Sequence, residues 1–132
     1  MEYKFNYNFF VNILKLCGLS DKVIEMYLQK YRGLMNVKLY ELILKYDPDT
    51  NKSLQAITND AEVQTVLTNL AKSKAWPTIN LELEKYMFQL IDDTLDALNK
   101  VITEEQKIEI VKYLDEYENR LDVLEKQADS QQ

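Results

Sequence analysis

The stretch TINLELEKYMFQLIDDTLDALNKVI, residues 78–102, decides the fold. Leu83, Met87, Leu90, Ile91, Leu95, Leu98 and Ile102 recur at three- and four-residue spacing, the period of a helix with one apolar face. Glu82, Lys85, Gln89, Asp92, Asp93 and Asp96 fall on the opposite face. Thr78 or Asn80 is the expected N-cap, because short polar side chains accept from the first free backbone N–H groups. The next four residues, TEEQ at 103–106, form a capping box in which Thr103 and Gln106 satisfy each other's backbone, with Glu104 and Glu105 at the positive end of the dipole. A last helix therefore runs from Glu104 to about Lys126, and residues 78–128 read as a long antiparallel helical hairpin.

Working back from this pair, Asn59 and Glu62 cap a helix with Val63, Val66, Leu67, Leu70 and Ala71 on its face, and KSKAWPTIN, with Pro77, links it to the hairpin. Residues 1–46 read as a lobe of three helices. The first carries Phe9, Ile13 and Leu16 beside Phe10, Leu14 and Cys17, and Gly18 ends it. Ser20 caps the second, with Ile24, Tyr27, Leu28 and Tyr31 in a stripe. Gly33 ends or bends that helix, and Met35, Leu39, Leu42, Ile43 and Tyr46 make the third. MEYKFNY alternates Tyr3, Phe5 and Tyr7 with polar residues, a strand-like period in a segment too short to build a sheet. The fold class is all-α: a single-domain bundle of about six helices over residues 1–132, with 47–77 forming a turn, a helix and a linker. The scarcity of breakers agrees. Two glycines and two prolines in 132 residues suit long helices and starve hairpins and tight βα loops.

KYDPDTNKSLQ, residues 45–55, opens like a calcium loop, since Asp47, Asp49, Asn51, Ser53 and Gln55 stand at alternate positions. The two most demanding places fail. Lys52 stands where the loop needs glycine, and Thr58 stands where it needs a bidentate glutamate. Asp-Pro-Asp-Thr reads instead as a type I turn between helices, with no metal.

With no histidine and a single cysteine, neither an ordinary zinc site nor a Ser-His-Asp or Cys-His nucleophile can be assembled. No glycine-rich phosphate loop is present. Asp92, Asp93 and Asp96 could in principle hold magnesium, but a solvated charge run is the ordinary outcome for carboxylates opposite an apolar stripe. The expectation is a non-enzyme with no cofactor and no small-molecule substrate. Cys17, among apolar neighbours, reads as a buried inert thiol, which suits a reducing, cytoplasmic setting. NFFVNILKLCGL is apolar, yet Asn12 and Lys15 interrupt it and no run approaches the length of a spanning helix, so no membrane association is expected.

Charge is unevenly placed within a net of −6: residues 1–58 carry eight basic against six acidic side chains, and residues 59–132 eight against sixteen. That balance argues against direct nucleic-acid binding, which needs a basic stripe to displace counterions. On the last helix Ile110, Leu114, Tyr117, Leu121, Leu124 and Ala128 follow a heptad spacing, supported by Glu116 with Arg120 and Asp122 with Lys126. Its outer part, Tyr117, Leu121 and Leu124, is the candidate surface for a protein partner or a second copy. The function expected is a non-catalytic interaction module: an adaptor, subunit or inhibitor presenting helix surface. The alternative is an acidic decoy in which Glu82, Asp92, Asp93 and Asp96 mimic the phosphates of a nucleic acid and block a basic enzyme, as small phage-borne inhibitors do.

Overall fold

The computed structural model describes residues 7–130, apart from the side chains of residues 120, 121, 124, 127, 128 and 130. The strand-like alternation at Tyr3 and Phe5 lies outside the described residues. Six helices follow in order, with no strand among the described residues: α1 (Asn8–Leu16), α2 (Asp21–Tyr46), α3 (Pro48–Gln55), α4 (Asp60–Leu70), α5 (Trp76–Leu98) and α6 (Glu104–Ser130). The chain is an all-α bundle.

Local chemistry sets most of the boundaries. Gly18 adopts φ 78° and closes α1, where Leu19 N–H reaches Leu14 O at 3.3 Å and Gly18 N–H reaches Lys15 O at 2.9 Å. Ser20 accepts from Val23 N–H at 3.4 Å, and Asn59 accepts from Glu62 N–H at 2.9 Å. The box at Thr103 closes in both directions: Thr103 N–H donates to Gln106 Oε1 at 2.8 Å and Gln106 N–H to Thr103 Oγ1 at 3.1 Å.

Three boundaries differ from the sequence expectation. Gly33 neither ends nor bends the chain into a new helix, because α2 runs unbroken through it and residues 7–46 hold two helices rather than three. The roughly 1 kcal/mol that a glycine costs in a helix interior is outweighed by one continuous buried face of Ile24, Leu28, Tyr31, Met35, Leu39, Leu42 and Ile43. Asp-Pro-Asp-Thr opens α3 instead of making an isolated turn. Asp47 accepts from Thr50 N–H at 3.3 Å and from Thr50 Oγ1 at 2.7 Å, and Pro48 occupies the first turn, where its missing N–H is no loss. For the same reason α5 starts at Trp76 with Pro77 in its first turn, ahead of Thr78 and Asn80.

A single apolar core joins all but α3, which contributes Leu54 at its edge. α2 lies along α5, and α1 packs on both α2 and α6. Phe10, Ile13 and Leu14 of α1 are fully buried, as are Met35, Leu39 and Ile43 of α2 and Ile79 and Ile91 of α5. Gly18 matters here a second time: a Cβ on it would come within 2.9 Å of Gln106 Nε2, the side chain that caps α6. Gly18→Ala should therefore destabilise the fold by about 1–2 kcal/mol from the left-handed backbone alone. A thermal melt of the variant checks it, and an unchanged midpoint would contradict the role given to this turn.

Candidate interaction surface

α6 has an inner and an outer side, and both bear on what the chain can do. On the inner side Ile110 and Tyr117 are buried, and Tyr113 and Leu114 are half-buried. The Tyr117 ring stacks on Phe9 of α1 with centroids 3.8 Å apart, and its hydroxyl donates to Glu84 Oε2 at 2.5 Å, with Met87 Sδ at 3.5 Å. Tyr113 stacks on Phe9 at 5.9 Å and accepts from Asn12 Nδ2 at 2.9 Å. Tyr117, read from the sequence as the start of a partner surface, is thus used inside the chain: it ties α6 to α1 and α5. Leu121 and Leu124 continue the same seam, but their side chains lie outside the described residues, as does that of Arg120.

On the outer side of α6, Ile108, Val111 and Val123 are 56%, 54% and 55% exposed, and Val101, just before the capping box, is 71% exposed. Large aliphatic side chains more than half in water on one helix face carry no benefit to the isolated fold. Beside them a shallow groove of about 220 Å³ is lined by Leu95, Asp96, Asn99, Ile102, Lys107, Ile110, Val111 and Leu114.

The acidic face of α5 meets this groove at Asp96. Asp92, Asp93 and Asp96 are exposed and Glu82 is half-buried. Gln89 Nε2 donates to Asp93 Oδ1 at 2.9 Å. Among the described residues none of these four carboxylates is in an ion pair, whereas Glu104 and Glu109 of α6 pair with Lys107 and Lys112 at 3.1 and 3.5 Å. The acidic field reaches α2 as well. Burial, then Glu41 and Asp93, push the Tyr86 hydroxyl above its ordinary range, and Lys38 sits over the Tyr86 ring at 5.3 Å.

Two polar residues of α5 that the sequence pattern passed over point inward. Glu84 is buried against Tyr117. Thr94 is buried against Tyr31, and because Thr94 Oγ1 donates to Leu90 O at 2.9 Å, the Tyr31 hydroxyl is the donor of the short bond between the two. Burial of Tyr31 pushes its hydroxyl up to about 12, the hydrogen bond it shares with Thr94 opposing and the neighbouring Tyr27 and Cys17 adding to it. Burial also raises the Cys17 thiol, which disfavours the thiolate.

The calcium-like stretch is dispersed by α3. Residues two apart on a helix point about 200° from one another, so Asp49 and Asn51 cannot converge on one ion. Both oxygens of Asp47 are engaged by Thr50. Among the described residues no group of three or more acidic or cysteine side chains is arranged to hold a metal. Millimolar calcium should accordingly leave the melting temperature unchanged, since an ion that binds only the native state must raise it. An upward shift that vanishes in Asp49→Ala would overturn this. No helix among the described residues is long and apolar enough to cross a membrane. No family model, no curated protein and no solved structure matches the chain.

Proposed function

We propose that the protein is a non-catalytic interaction module, an adaptor, subunit or inhibitor, that offers helix surface to a protein partner, α6 foremost. The observation that carries this reading is the two-sidedness of α6: Ile110 and Tyr117 anchor it to the bundle while Ile108, Val111 and Val123 stay in water. α5 and α6 act as an antiparallel hairpin in this reading. Tyr117 meets Glu84 and Met87 while Ile110 and Leu114 lie near Leu95 and Asn99, so contacts step backwards along α5 as α6 advances. Leu121 and Leu124 extend the seam toward the partner. Replacing both with serine should leave helix content and melting nearly intact and abolish association, read by light scattering beside thermal melts. A double variant that melts far lower, with its association state unchanged, would assign these leucines to the core instead. The absence of histidine from the sequence and the protonated, buried Cys17 support a non-catalytic role in a reducing, cytoplasmic compartment.

A second reading, the acidic decoy that occupies the nucleic-acid groove of a basic enzyme, is favoured by Asp92, Asp93 and Asp96 with Glu82, which form no ion pair among the described residues. The two readings separate by salt. Phosphate mimicry acts through long-range, screened charge, so binding would weaken steeply as ionic strength rises. Burial of Ile108 and Val111 would be comparatively salt-tolerant and carry a negative heat-capacity change. Titration calorimetry with the purified partner at two salt concentrations and two temperatures decides between them, and a steep salt loss favours the decoy.

A further inference from the structure

α2 carries a second seam, on the side turned away from the core. Met26, Lys30, Gly33, Val37, Tyr40 and Leu44 follow spacings of 4, 3, 4, 3 and 4 along one narrow stripe, a coiled-coil pattern about 27 Å long. Most of the stripe is uncovered: Met26, Val37 and Leu44 are 65%, 60% and 59% exposed, while Tyr40 is half-buried at the edge of the core. Gly33 is the odd member. It sits in the middle of a continuous helix with ordinary backbone, and a Cβ built on it would meet nothing within 4 Å. The monomer therefore has no packing reason for a residue that weakens a helix by about 1 kcal/mol relative to alanine. A helix approaching from outside would supply one, since a missing side chain lets two backbones close together.

The stripe is complementary to itself. Turned about a two-fold axis that lies outside the helix at the level of residue 35, Met26 faces Leu44 of a second copy, Lys30 faces Tyr40, and Gly33 faces Val37, so each Val37 drops over the gap above the opposite Gly33. Charge agrees with the same register. Antiparallel pairing sets Lys30 against Glu41 of the other copy on one flank of the seam. Lys30 is exposed and in no ion pair among the described residues, and Glu41 is held only by Lys38 at 3.9 Å. Lys30 is thus available to a carboxylate and to the Tyr40 ring at once.

We infer that the chain pairs with a second copy of itself through the outer face of α2, antiparallel and centred midway between Gly33 and Val37. This goes beyond the α6 surface and does not depend on it. The test is sedimentation velocity over a concentration series, on the full chain. The wild type is expected to move from monomer to dimer as concentration rises. Val37→Glu, at an exposed position, is expected to stay monomeric throughout with an unchanged melt. Gly33→Ala is expected to melt higher and yet dimerise at least several-fold more weakly. The register is tested by charge exchange. Lys30→Glu alone and Glu41→Lys alone should each fail to self-associate, while an equimolar mixture of the two should form a heterodimer. A wild type that stays monomeric at every concentration would overturn the inference, as would a dimer indifferent to Val37→Glu or a mixture that fails to pair. If association is lost instead in Ile108→Ser/Val111→Ser, copies meet through α6, which overturns the α2 pairing and leaves the interaction reading of α6 standing.

Discussion

Phe10→Ala should lower the unfolding free energy by about 3–5 kcal/mol, a large part of the roughly 5–15 kcal/mol that holds a domain of this size together. Phe10 is fully buried, and its ring stacks on Tyr31 with centroids 4.3 Å apart and on Tyr7 at 6.1 Å, and meets Phe9 in a tilted contact at 5.8 Å. It sits on a nine-residue helix, α1, which is too short to persist in water without tertiary packing. Truncating it opens a cavity against α2 and slackens the element that bears on α6 through Phe9. Urea denaturation followed by far-ultraviolet circular dichroism measures the loss. A loss under about 1 kcal/mol would mean that the site collapses freely and that α1 is not the wedge described here.

A rise in pH from 10 to 12 should remove about 2 kcal/mol of stability through Tyr31 alone. The unfolded phenol ionises near its ordinary value of 10.0, whereas burial in the fold raises it to about 12. A raised value in the folded state means that the native protein holds the proton more tightly. The contribution is therefore complete below pH 10 and drains away as pH climbs through 12. Tyr31→Phe cannot ionise and should lose this part of the alkaline dependence, together with the bond to Thr94 at neutral pH. Denaturant midpoints of the two proteins across pH 9–12 give the difference directly. Parallel curves would contradict the buried, protonated tyrosine.

The features legible in the residues alone are those that rest on near neighbours. The box of Thr103 and Gln106, the caps at Ser20 and Asn59 and the glycine stop at Gly18 all involve groups a few positions apart, and all are present in the structure. Gly33 is ambiguous in sequence because a breaker's local cost is set against burial on a face that α1 and α5 complete. Asp47 and Pro48 suit a turn and a helix start equally well, and only the course of the chain beyond Pro48 separates the two. Glu84 and Thr94 carry no inward signal, because a polar residue defaults to water. Their partners, Tyr117 and Tyr31, lie 33 and 63 residues away. The candidate surface is legible as a location, α6, but its sides are harder to assign. Tyr117 shares the heptad period with Leu121 and Leu124 and is held inside by Phe9, a residue of α1.

The proposal that α6 works as a contact surface stands or falls on one comparison. Wild-type protein and Ile108→Ser/Val111→Ser are immobilised at equal density and exposed in parallel to extract of the native source, and the retained proteins are quantified. Both replaced side chains are more than half exposed, so the double variant should melt with the wild type. The expected result is a partner retained in fixed stoichiometry by the wild type at moderate salt and lost by at least tenfold in the variant. A partner retained equally by both proteins, or none retained by the wild type at any salt concentration, would contradict it.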